Sequence, residues 1–94
     1  MEIIHQDNGQ KGAFVLKDGD STAGEVSYVW AGDKRVILDR THVEREYGGQ
    51  GLGKKLVDAV AGFARDKEIK IVPRCSYAEA LFNKSSSYDD VKSV

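Results

Sequence analysis

Several residue types are scarce in this sequence, and each scarcity narrows the reading. Its 94 residues hold one cysteine, one proline, one methionine and one tryptophan. A lone thiol cannot close an internal disulfide, which fits a reducing compartment. Charge of one sign is lacking too, since 14 Lys and Arg stand against 15 Asp and Glu for a formal net charge of -1. The chain as a whole therefore offers nucleic acid no electrostatic attraction. No apolar run nears the ~20 residues of a membrane span. The opening Met1-Glu2-Ile3-Ile4-His5 has neither the basic nor the apolar stretch of an export signal. Two histidines, one cysteine and dispersed carboxylates give no metal-ligand spacing, so no metal is expected. Repeats, linkers and low-complexity tracts are missing as well. What remains is 40% hydrophobic and 31% charged, enough apolar side chain for one modest core and too much for disorder. The expectation is a cytoplasmic single domain over residues 1–94, a monomer or weak dimer, without nucleic-acid or membrane partners.

The first half reads as antiparallel strands. Ala13–Lys17 is strand-like and precedes Asp18-Gly19, a dipeptide suited to a type I′ hairpin turn. Gly24–Trp30 is rich in β-branched and aromatic residues, and Ala31-Gly32-Asp33 turns the chain again. Arg35–Val43 begins apolar on both faces, which predicts a central strand covered on two sides. From Gly51 to Asp66 the period changes: Leu52, Leu56, Val57, Val60, Phe63 and Ala64 recur at helical spacing. Ile69–Pro73 is a short apolar strand, parallel to the strand before the helix across a right-handed crossover. Ser76-Tyr77-Ala78-Glu79 reads as a capping box, with Ser76 as N-cap of a second helix running to about Lys84. Residues 88–94 form a tail or a short last strand. The fold class is α+β, a mixed and mostly antiparallel sheet with one long and one short helix.

Glycine is concentrated rather than scarce at one place. Gly48-Gly49-Gln50-Gly51-Leu52-Gly53 is followed by Lys54-Lys55, between the central strand and the long helix. No Ser, Thr, Asp or Asn stands where this helix would be capped, so its first amides lack a side-chain partner and suit an anion. The two lysines sit in the first turn, where the helix dipole disfavours cations. Phosphate would reconcile these features. A dinucleotide fingerprint G-x-G-x-x-G fails, because Lys54 takes its third glycine position. A nucleoside-triphosphate loop fails as well, since Lys55 replaces the hydroxyl residue that holds magnesium.

Gly49-Gln50-Gly51-Leu52-Gly53-Lys54-Lys55-Leu56 resembles motif A of the GCN5-related N-acetyltransferases, Arg/Gln-x-x-Gly-x-Gly/Ala at a strand–loop–helix junction. The resemblance is closest to a very short class of these proteins and covers Val36 to about Phe82. It implies acetyl-CoA as the cofactor and an unidentified amine as the acceptor. It also implies a pyrophosphate site on Gly49, Gln50, Gly51, Leu52, Gly53 and Lys54, with Val43 near the pantetheine. Gly48 occupies a slot where larger members carry Arg or Gln, and Lys54 and Lys55 are the substitutes. Cys75 to Phe82 echoes the family's Asn-x-x-Ala-x-x-Leu-Tyr stretch, with Phe82 where the proton-donating Tyr would stand. The N-terminal helices that wall the acceptor site in larger members have no room in this sequence, which implies a shallow, open acceptor site.

Two residues are candidates for chemistry. Cys75 precedes the inferred cap Ser76 and follows Arg74, so its sulfur would lie at the positive end of a helix, an environment that favours thiolate. It is either the acetyl-carrying nucleophile, or the proton donor to departing CoA, or a small buried residue at a strand end. His42, on the same side of its strand as Arg40, is either a structural hydrogen-bonding histidine or a base near the thioester. His5 is expected on the surface, Tyr28 and Trp30 in packing, and Tyr88 in packing with a wet hydroxyl. The alternative to an enzyme is a non-catalytic CoA-binding or interaction module.

Overall fold

Four strands follow one another as a meander, each reversed by residues that accept a tight turn. The computed structural model describes residues 1–93. Strands β1 (Glu2–Asp7), β2 (Lys11–Asp18), β3 (Ser21–Trp30) and β4 (Arg35–Val43) pair antiparallel in sequence order. Helix α1 (Leu52–Lys67) then crosses to β5 (Lys70–Pro73), which lies parallel to β4, and α2 (Ser76–Lys84) follows. Short single-turn helices lie at Arg45–Tyr47 and Ser86–Tyr88.

Helix α1 buries Leu52, Leu56, Val57, Val60, Ala61 and Ala64 against the strand residues Phe14, Leu16, Val26, Tyr28, Val36 and Leu38. From α2 come Ala78 and Phe82, added to the same core. Both helices thus cover one face, and the 19 Å thickness of the molecule fits one sheet and one helix layer. The other face carries the exposed Ile4 and Val29 and the half-buried Ile37. Strand β4 is therefore covered on one side, where its apolar start predicts two.

Local chemistry explains the remaining departures. The loop of the β2–β3 hairpin is Gly19-Asp20, between paired Asp18 and Ser21, and only Gly19 of the two has positive φ (62°). That is the pattern of a type II′ turn, displaced by one residue from the predicted Asp18-Gly19. Ser76 is the first helical residue of α2 and not its cap. Cys75 is the N-cap, and its Sγ accepts from the Ala78 amide at 3.4 Å. The extended backbone of Cys75 places its side chain back over the first turn, where thiol sulfur does the work usual for a hydroxyl.

Strand β1 has no clear alternation in sequence, and its order comes from tertiary contacts. Tyr28 donates its hydroxyl hydrogen to Asp7 Oδ2 at 2.5 Å, Trp30 Nε1 donates to the same oxygen at 2.9 Å, and His5 Nε2 lies 2.7 Å from the Tyr28 hydroxyl. His5 is exposed but stacks on Phe14, with ring centroids 4.1 Å apart. Tyr28 is fully buried and Trp30 packs half-buried beside it. At the other edge of the sheet, Lys92 forms a parallel bridge to Ile71, and Arg65 holds Asp90 at 2.6 Å. The tail is thus a bridge-length strand over its described residues; Val94 lies outside them. Tyr88 is buried, and its hydroxyl donates to Asp58 instead of to water.

Candidate functional site

Two irregularities in the sheet build the site. Ser27 pairs with Arg40 and Tyr28 with Leu38, so Asp39 is an extra residue in β4. Strand alternation would otherwise send Thr41 and Val43 to the face opposite Leu38. The bulge returns both to the helix-covered face, opposite Val26 and Gly24, and leaves Arg40 and His42 on the uncovered one. The second irregularity is the end of the β4–β5 pairing at Leu38 and Pro73. Pro73 has no N–H to donate, and the Arg74 and Cys75 amides both converge on the Leu38 carbonyl at 3.0 and 3.1 Å. Beyond that point β4 runs on to the glycine loop while the other chain turns into α2.

The resulting cleft is a cavity of about 260 Å³. Thr41, Val43 and Tyr47 wall it on one side, Gly48, Gly49, Gly51, Leu52 and Gly53 on another, and Tyr77 on a third. Cys75 does not line it but lies behind Thr41, with Sγ 3.3 Å from Thr41 Oγ1. A hollow of about 470 Å³ beside the first hairpin is larger, but Gln6, Asn8 and Lys11 line it, far in the sheet from loop and thiol. Volume does not locate the chemistry here.

The loop meets the electrostatic expectation. Gly49 and Gly51 have φ of 78° and 73°, and both have open space around them. Gly51 caps α1 in the left-handed conformation without a side-chain hydrogen bond, and the first helical bond is Lys55 N to Gly51 O at 3.2 Å. Among the described residues, the amides of Gly49 through Lys54 meet no acceptor. Such an array at the positive end of a sixteen-residue helix fits a phosphate group.

The charged side chains are arranged less simply. Lys54 Nζ turns back along the helix to Asp58 Oδ2 at 2.9 Å, and that hydrogen bond, with the Asp58 charge, raises its pKa above the ordinary lysine value. Asp58 also accepts the Tyr88 hydroxyl, so Lys54 belongs to a surface network as well as to the loop. Lys55 is exposed beside it. Gln50 is exposed at the loop tip. Tyr47 donates to Asp18 at 2.9 Å, which raises its pKa and ties the loop entrance to the β2–β3 hairpin.

The two candidates for chemistry are not brought together. His42 lies opposite Glu25 on the uncovered face, and its Nε2 is 3.0 Å from Glu44 Oε1. Cys75 and Thr41 lie on the other face. The bulge that separates them has no signature in the sequence of β4. Phe82 is buried and stacked on Tyr88, with centroids 4.8 Å apart, so it is a core residue. Thr41, Tyr47 and Tyr77 are the cleft residues that sequence reasoning missed. For Tyr77 a signal existed, an aromatic side chain in the first turn of α2 two residues after Cys75.

A sequence profile for GCN5-related N-acetyl-transferase matches residues 13–91. The chain belongs to the GCN5-related N-acetyltransferase family. A GCN5-like protein of this family from Staphylococcus aureus, solved by NMR, is 33% identical with a TM-score of 0.71, over 96% of this chain and 87% of that one. A family acetyltransferase from Elizabethkingia anophelis, solved with acetyl-CoA bound, is 16% identical with a TM-score of 0.62 and shares 80% of this chain. A ribosomal-protein-alanine N-acetyltransferase from Brucella melitensis is 20% identical with a TM-score of 0.65 and shares 82%. The last two show the acetyltransferase fold alone, and this chain spans only 52% and 62% of their lengths. No curated protein matches the chain. The mixed sheet, the glycine loop and the long helix after it are thus those of the family, and no helix among the described residues is long and apolar enough to cross a membrane.

Proposed function

We propose that the protein binds acetyl-CoA in the β4–β5 cleft, as a substrate consumed in each turnover, and transfers its acetyl group to an amine. The observation that carries this reading is the run of unpartnered amides from Gly49 to Lys54, opening onto a cleft whose wall residue Thr41 touches the Cys75 sulfur. Gly49, Gln50, Gly51, Leu52 and Gly53 would take the pyrophosphate through backbone amides, with Gly48 lining the cleft beside them. Lys54 and Lys55 add positive charge in the same turn, and Val43 flanks the thioester arm.

Cys75 acts in one of two ways. In the covalent route its sulfur attacks the acetyl carbonyl carbon, the carbon–sulfur bond to CoA breaks, and CoA leaves as the thiol. The amine then attacks the acetyl-cysteine carbonyl, loses a proton and frees Cys75. In the direct route the amine nitrogen attacks the acetyl carbonyl carbon and the carbon–sulfur bond to CoA breaks. Cys75 gives its proton to the departing sulfur, and the proton lost by the nitrogen restores the Cys75 thiol. His42, held by Glu44 on the uncovered face, is the base we assign to an incoming ammonium, taking its proton before the amine reaches the cleft.

Amide chemical-shift changes on adding CoA test the binding step and should centre on residues 48–55. Mass spectrometry after incubation with acetyl-CoA should find an acetyl adduct on Cys75 if the covalent route operates, and saturating CoA should protect the thiol from iodoacetamide. An inert thiol, together with full activity in Cys75→Ala, would remove Cys75 from the chemistry. The second reading, a CoA-binding module without turnover, is favoured by Phe82 being a core residue and by His42 facing away from Cys75. CoA binding without thiol release in the presence of a panel of amines would select it.

A further inference from the structure

Neither route uses Tyr77, yet its placement is specific. Gly53 stands in the first turn of α1, where its φ is not positive and the backbone makes no demand for glycine. Space makes the demand. A Cβ at Gly53 would come within 2.8 Å of Tyr77 Cζ and Oη and 2.9 Å of Cε2, so the phenol ring lies directly on the glycine. Gly53 is buried, while Tyr77 itself stays 42% exposed. The ring therefore reaches from the first turn of α2 to the first turn of α1. It shares one cavity with the loop glycines, with Val43, and with Thr41 in front of Cys75.

A ligand joining the free amides to the thiol has to run along this ring. Among the described residues the Tyr77 hydroxyl has no hydrogen-bond partner, so the flat apolar surface is what the cleft receives. An aromatic wall gives large contact area for few frozen torsions. We infer that Tyr77, seated on Gly53, is the specificity-determining wall of the cleft. It holds the thioester-bearing arm, so that the site prefers an acyl-thioester ligand to a nucleotide diphosphate that satisfies the loop amides alone. This rests on the acetyl-CoA reading of the cleft.

Two probes separate the inference from that reading: CoA, which has the arm, and ADP, which has the pyrophosphate without it. Affinities are measured by titration calorimetry for the parent, Tyr77→Phe, Tyr77→Ala and Gly53→Ala. Tyr77→Ala should weaken CoA about tenfold and leave ADP within about twofold, as for loss of one well-packed contact aromatic. Tyr77→Phe should match the parent, because the ring and not the hydroxyl makes the wall. Gly53→Ala should reproduce the loss by displacing the ring, although alanine is the better helix former. In the Tyr77→Ala background it should have no further effect. Equal losses for CoA and ADP would make Tyr77 a mere support of the loop and overturn the inference, as would unchanged CoA affinity in Tyr77→Ala. A parent protein that binds neither probe would remove the acetyl-CoA reading and this inference with it.

Discussion

At Cys75 one sulfur atom receives two donors, the Ala78 amide at 3.4 Å and, in one orientation of the hydroxyl, Thr41 at 3.3 Å. Both contacts fix where the sulfur sits, behind Thr41 and over the first turn of α2. Thr41 lies between the cleft and the sulfur, which makes it a positioning residue for Cys75. Replacing Thr41 by Val removes the hydroxyl at nearly constant shape and should slow iodoacetamide alkylation of Cys75 near pH 7 about tenfold. Thr41→Ser should restore most of the rate. Equal rates in all three proteins would show that the hydroxyl does not act on the sulfur. The residue scale also explains why His42 and Cys75 could be paired in sequence and yet lie apart. Their separation depends on Asp39, an extra residue that shifts the strand by one and exchanges its faces.

At the scale of the element, α1 concentrates the conflict between stability and binding. It begins without a side-chain cap, on a left-handed glycine, and with lysines at its positive end. The isolated helix predicts that Lys54→Glu would relieve the dipole conflict. The folded helix adds a counterweight, because Lys54 is paired with Asp58 one turn on, and a glutamate there would face a like charge. The two effects oppose each other. Lys54→Glu should therefore leave the thermal midpoint within about 2 °C of the parent while weakening CoA binding, since it sets a carboxylate beside the free amides. Calorimetry and a CoA titration on the same sample check both parts. CoA affinity equal to the parent's would sink the assignment of this turn to phosphate. The helix was legible from its spacing alone, as was the absence of a cap. The Asp58 pairing was not, because two exposed charges four residues apart need not meet.

For the whole molecule, one junction ties the edge strand β1 to β3 across β2. Its contacts run through the Asp7 carboxylate. Burial alone would raise its pKa, but hydrogen bonds from Tyr28, the Gly9 amide and Trp30 outweigh that and hold it below the ordinary 3.8. Burial in turn pushes the Tyr28 phenol well above the usual tyrosine range, helped by its bond to Asp7, so it remains a donor throughout. A carboxylate with a depressed folded pKa adds stability above its unfolded pKa and loses it as pH falls through the folded value. The parent should thus be more stable than Asp7→Asn by a constant margin above about pH 5, and the margin should shrink below about pH 4. Thermal melts of both proteins from neutral to acid pH test this. A margin that persists at the acid end would mean that Asp7 acts through shape and not through charge.

The linear order of residues was enough to determine which segments are strands and which are helices from Ala13 onward, the crossover between β4 and β5, and the glycine loop with its bare amides. Those features rest on period, propensity and turn chemistry, which act over a few neighbouring residues. Tertiary structure decided the rest. It ordered β1 through Tyr28 and Trp30, made Cys75 the cap of α2, and placed Tyr77 on Gly53. It also turned Thr41 toward the thiol and His42 away from it. Each of these depends on atoms far apart in the chain, or on a one-residue bulge that reverses a face, and local sequence carries no energy term for either.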